Sequence, residues 1–154
     1  MLEASRFVYV YNQTKETFLA LKVKVADTFI GRMVGLLGRR SLEPVCGVWI
    51  VPCNSIHTFG MLFTIDVVFV DRDFKVVGLQ ELVKPFSITR PNFRAESAIE
   101  LPAHTIFRSG TAIGDQFVIE RYESDRMAWA RSSPVGSFAQ GQAAAEVRSE
   151  SAED

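Results

Sequence analysis

Apolar and polar residues alternate over several short stretches of this chain, and a period of two predicts strands. Residues 7–11 and 18–25 are rich in β-branched and aromatic side chains. In the second stretch Leu21, Val23 and Val25 alternate with Lys22 and Lys24, which predicts a strand with one wet face. Residues 12–15 predict a hairpin loop between the two. Helical spacing occurs in one place, where Phe29, Met33 and Leu37 recur with Ile30 and Val34. Asp27 or Thr28 opens this helix, and Gly38 followed by Arg39 and Arg40 stops it. Gly31 and Gly35 lie one turn apart within it, each at a cost of about 1 kcal/mol against Ala, which predicts close approach to a sheet. Further strands are predicted at 47–51, within 53–71, at 74–79, at 97–101 before Pro102, and at 117–120, with turns at 71–73 and 114–115. Residues 84–94 predict a long irregular loop. One helix near 28–37 among seven or eight short strands predicts a mostly-β (α+β) domain, a compact barrel or sandwich.

The stretch 53–71 carries Cys53, Ser55, His57, Thr64 and Asp66 in an otherwise apolar sequence. With Gly60 and Met61 as the central residues of a tight turn, it predicts a hairpin in which Ser55 faces Asp66 and His57 faces Thr64. Cys53, Ser55, His57, Thr64 and Asp66 then share one face, and Ile56, Phe63, Ile65 and Val67 share the other. Two chemistries fit that polar face. His57 oriented by Asp66 could act as a base, with Cys53 or Ser55 as nucleophile. Alternatively, Asp66 accepts hydrogen bonds from backbone or hydroxyl groups and locks the structure, as buried polar groups usually do. Ser55 and Thr64 are candidate ligand contacts on the same face. In the loop 84–94, Lys84, Arg90 and Arg94 stand beside Phe86 and Phe93, a combination that suits an anionic ligand.

Composition narrows these options. A chain of 154 residues with 47% hydrophobic and 23% charged residues is globular and long enough for one well-buried domain. No apolar run is long enough to span a membrane, and the first residues lack the pattern of a secretory signal, so a cytoplasmic protein is expected. Residues 1–122 hold 14 basic and 12 acidic side chains, whereas residues 123–154 hold 3 and 6. Neither balance argues for a nucleic-acid or membrane partner. The globular domain is expected to end near Glu123. The Ala-, Ser- and Gln-rich acidic stretch 124–154 has few aliphatic anchors and is expected to be a disordered tail. The two cysteines, Cys46 and Cys53, are expected as thiols. They form no CxxC pair, and with His57 and His104 they match no zinc-finger spacing, so no metal or other cofactor is expected.

Several short motifs, in order, resemble one family. Residues 32–39 (Arg-Met-Val-Gly-Leu-Leu-Gly-Arg), 65–71 (Ile-Asp-Val-Val-Phe-Val-Asp), 100–103 (Glu-Leu-Pro-Ala) and Gly114-Asp115 look like the domain of unknown function 192, over roughly residues 17–120. The resemblance implies a compact, mainly-β domain with one helix and implies no reaction. Many members carry Trp-Met-Lys-Asn-Thr near the His57 segment while keeping an Asp where Asp66 stands, which moves the weight from His57 to Asp66. The family's Ala-Gly is Ala103-His104 here. The expectation is a binding or accessory module for a small anionic ligand or a protein, with a hydrolase-like or thiol enzyme built on Cys53, His57 and Asp66 as the alternative.

Overall fold

A computed structural model describes residues 6–28, 31 and 36–121. The tail expected at 124–154 and most of the helix expected near 28–37 lie outside the described residues. The described elements are β1 (Phe7–Asn12), β2 (Thr17–Ala26), β3 (Cys46–Ile50), β4 (Ile65–Val70), β5 (Val76–Val83), β6 (Ser97–Pro102), a short helix α1 (Thr105–Ser109) and β7 (Phe117–Arg121). The seven strands form one sheet in the order β5-β4-β6-β3-β2-β1-β7. All pairings are antiparallel except β2 with β3, whose connection runs over residues 27–45.

The sheet curls until its two edge strands meet. Val76 N–H donates to Asp115 O, Gly114 N–H to Val76 O and Phe117 N–H to Phe74 O, at 2.8–2.9 Å. The result is a barrel closed at one end, the mostly-β architecture that the alternating pattern predicts.

Two apolar clusters lie on opposite faces of the sheet. The first draws on all seven strands and fills the interior, with Val10, Val23, Val68, Ile99, Leu101 and Phe117 at its centre. The second uses β2 to β6 only and includes Val48, Ile50, Ile65, Val67, Phe69 and Ala98. It lies on the outer face, where Leu36, Ile56 and Met61 from the connecting segments cover it. Strand β4 is therefore buried along both faces. That explains why its sequence is a continuous apolar run with a single charge rather than an alternation.

Helix α1 closes one end of the interior through Ile106. His104 precedes it with a left-handed backbone (φ 70°) and no side-chain capping bond. This is the position of glycine in the resemblance noted above. An exposed residue with a Cβ there carries backbone strain of about 1 kcal/mol. His104→Gly is expected to stabilise the domain by up to about 1 kcal/mol, read as a rise of a few degrees in thermal unfolding. An unchanged or lower midpoint would show that the imidazole contributes a compensating contact.

Candidate functional site

Asp66 is the second residue of β4 and is fully buried. Its Oδ1 accepts from Leu82 N–H at 3.0 Å and its Oδ2 from Ile106 N–H at 2.9 Å. Ile106 lies in the first turn of α1, so Asp66 supplies from a distant strand the capping acceptor that His104 does not provide. A negative charge there also complements the helix dipole. The bond from Leu82 N–H to Oδ1 holds Leu82 in a left-handed conformation (φ 54°), at an irregularity in the β4–β5 register. One carboxylate thus fastens a strand, a bulge and a helix. This is the structural role the sequence allowed for Asp66.

The hairpin predicted for residues 53–66 does not form. Gly60 does sit in a tight turn, with Met61 N–H donating to Thr58 O, but the central residues are Phe59 and Gly60, and Gly60 takes φ 78° as the third residue of the turn. The segment 54–58 pairs instead with the loop 86–92. His57 bridges to Ile88, Thr58 N–H donates to Ser87 O, Thr89 N–H to Ile56 O and Asn92 N–H to Asn54 O. Hydroxyl side chains reinforce this ribbon. Thr58 Oγ1 donates to Lys84 O at 2.7 Å and accepts from Ser87 N–H at 2.9 Å. Thr89 Oγ1 accepts from Ile56 N–H at 2.8 Å, and Ser55 Oγ donates to Thr89 O at 2.9 Å. β4 is already flanked on both sides by β5 and β6, so no free edge remains to which residues 55–57 could pair.

The proposed catalytic set is accordingly not assembled. Both Asp66 oxygens serve backbone amides, and among the described residues no hydrogen bond joins Asp66 to His57. His57 is exposed and stacks on Phe59, with ring centroids 5.6 Å apart. Cys53 Sγ donates to Ser55 O at 3.1 Å. The thiol of Cys46 is pushed up by burial and by the neighbouring Glu43, against Lys22 and Arg39, which disfavours the reactive thiolate. No group of three or more His, Cys, Asp or Glu is placed to hold a metal ion among the described residues. The enzyme alternative is not favoured.

The candidate ligand residues divide. Ser55 is half-buried and committed to the ribbon, and Thr64 is half-buried ahead of β4. Lys84, Arg90 and Arg94 are exposed, on the same segment as exposed Phe86, Ile88 and Phe93. Across the ribbon Phe59 and Leu62 are exposed as well. The sequence pointed to the basic and aromatic loop, but its partnership with residues 54–62 became visible only in the fold.

Two polar features were marked in the sequence only as parts of a turn and of family-like motifs, with no role attached. Asn12 and Asp115 form a buried network at one end of the barrel, with Asn12 Nδ2 donating to Asp115 Oδ2 at 2.8 Å and Ala112 N–H to the same oxygen at 2.9 Å. Glu100 is different. It lies on β6 with 3% exposure, and its Oε2 has no hydrogen-bond partner. Burial pushes its carboxyl up to about 7.

The model of the family described as "Uncharacterized ACR, COG1430" (DUF192) matches residues 10–119. The chain belongs to this family. A DUF192 relative named UPF0127 protein PH1112, from Pyrococcus horikoshii, is 38% identical over 98 residues, which is 60% of this chain and 83% of that protein. A UPF0127 protein from Thermococcus sibiricus is 36% identical over 110 residues, 68% of this chain and 70% of that one. Among solved structures, the R01717 protein of Sinorhizobium meliloti 1021 superposes with a TM-score of 0.64 at 22% identity, covering 75% of this chain and 94% of its own. A protein of unknown function from Novosphingobium aromaticivorans DSM 12444 gives the same TM-score at 18% identity, covering 73% and 83%. These likenesses show that the fold is shared by other chains. Among the described residues, no helix is long and apolar enough to cross a membrane.

Proposed function

We propose that this DUF192 domain is a cytoplasmic binding module that presents the ribbon of residues 54–62 and 84–93 to a partner protein. One observation carries the reading: a doubly clamped ribbon leaves large apolar side chains in solvent. Phe86 is 67% exposed, Ile88 66%, Leu62 62% and Phe93 88%. Their exposure is not a by-product of looseness, because Thr58 and Thr89 tie the two segments together through backbone and hydroxyl bonds. A pre-ordered apolar surface loses little entropy on binding and is the usual mark of an interaction site. Lys84, Arg90 and Arg94 around it select an acidic segment that carries apolar anchors of its own.

A photo-crosslinking residue placed at Ile88 is expected to give one discrete protein adduct in cells. Replacing Phe86 and Phe59 with Ser should reduce that adduct about tenfold or more, the loss typical of anchor residues. A crosslinker at the exposed Glu120 on β7 should give none. The same adducts from both positions would overturn the assignment.

A further inference from the structure

The two segments of the ribbon bond to each other through alternate residues. Thr58 N–H donates to Ser87 O and Thr89 N–H to Ile56 O. Ser87 N–H donates to Thr58 Oγ1, and Ser55 Oγ to Thr89 O. The backbone groups of Ser87 and Thr89 therefore point into the ribbon, and the alternation of an extended chain turns those of Ile88 and Arg90 outward. Among the described residues, nothing bonds the N–H or C=O of Ile88 or Arg90. Both residues are exposed, and the chain runs without a turn or bend from 87 to 92. The result is a short strand edge whose two donors and two acceptors face water. The opposite edge offers less. The backbone of His57 is unbonded there in the same way, but Ser55 O already accepts from Cys53 Sγ at 3.1 Å and the chain turns at Phe59.

The geometry points to an added strand: the ribbon's partner supplies an extended segment that pairs antiparallel with Ile88 and Arg90, with an apolar side chain opposite Ile88 and an acidic one two positions earlier, opposite Arg90. This rests on the reading of the ribbon as a protein-binding surface and adds how the partner is held. Each of the two residues can exchange both an N–H and a C=O with the residue facing it, as in the bonded pairs of an antiparallel ladder. Those main-chain bonds give affinity, and the facing side chains give selectivity. Ile88 and Arg90 lie on one exposed face with buried Thr89 turned inward between them, so an apolar and an acidic partner side chain meet them directly. The edge is short by construction. Pro91 has no N–H to offer, and Phe86 takes a left-handed conformation (φ 56°), so one strand can be added but the pairing does not extend along the loop.

The test is a titration of the isotope-labelled full chain with the acetylated, amidated peptide Ser-Thr-Glu-Thr-Val-Thr-Ser, followed by amide NMR. The Ile88 and Arg90 amides should shift and gain protection from exchange, with a Kd in the millimolar range or below. Methylating the peptide's Val nitrogen removes the N–H that faces Ile88 O and should weaken binding about tenfold or more. The same methyl on the Thr between Glu and Val, whose N–H faces away, should change affinity little. Arg90→Glu should weaken the peptide about twofold to fivefold, and Lys in place of the peptide's Glu should recover that loss. No binding, equal affinity for the Val-methylated peptide, or no recovery on charge exchange would each overturn the added strand. The crosslink at Ile88 separates the two readings. If its adduct persists after such a result, the ribbon stands as a protein-binding surface and the strand pairing falls. If the adduct is missing as well, both fall.

Discussion

The Glu100→Gln protein should match the wild type in stability at pH 4 and exceed it by about 3 kcal/mol at pH 8. The unpartnered carboxyl is raised by burial from 4.5 to about 7. A raised carboxyl favours the folded state fully below the unfolded value, and the contribution is lost as pH rises through the folded value. The window is therefore about pH 4.5 to 7, and a shift of that size corresponds to about 3 kcal/mol. Glutamine keeps the shape and removes the ionisation. Urea unfolding of both proteins at intervals across this range measures the difference directly, because the other carboxyl groups are common to both and cancel. Parallel curves across the whole range would mean that Glu100 has found a partner when ionised.

Asp66→Ala is expected to cost about 4 kcal/mol, enough to unfold a marginal domain. The substitution strands two backbone N–H groups, those of Leu82 and Ile106, and removes the acceptor at the start of α1. A stranded buried donor costs about 1–3 kcal/mol; the Ile106 N–H is buried and the Leu82 N–H partly so, which puts the larger share of the loss at Ile106. Asp66→Asn retains one carbonyl oxygen, so it should keep one of the two bonds and cost about half as much. Denaturant midpoints rank the three proteins, and amide exchange at Leu82 and Ile106 locates the damage. If Asp66→Ala lost less than about 1 kcal/mol, the carboxylate would not be the clasp described above.

The sequence was informative where one residue's environment is set by its near neighbours. The alternation in β2 and the apolar run in β4 marked both strands, and Asp71 closed the β4–β5 turn as expected, accepting from the Asp73 and Lys75 amides. It was misleading where pairing is decided at long range. Residues 55–57 look like half of a local hairpin because Gly60 follows them. Yet strand β4 takes β6 as its partner, and residues 54–58 are left to pair with a loop some thirty positions away. Helix α1 went unread because it is a single turn, begun by a histidine in a left-handed conformation and capped from another strand. Glu100 was hidden for a related reason. In an isolated strand a Glu between Ile99 and Leu101 reads as the solvent side, but here both faces of β6 are covered.

The register irregularity at Leu82 also bears on association. Strand β5 is an edge of the sheet and meets β7 only near its own start. Its far end would offer unpaired backbone groups to any chain able to add a strand. The left-handed Leu82, held by Asp66, twists that end out of the flat geometry such an addition requires. The same clasp that seats α1 therefore also guards the barrel against edge-to-edge aggregation.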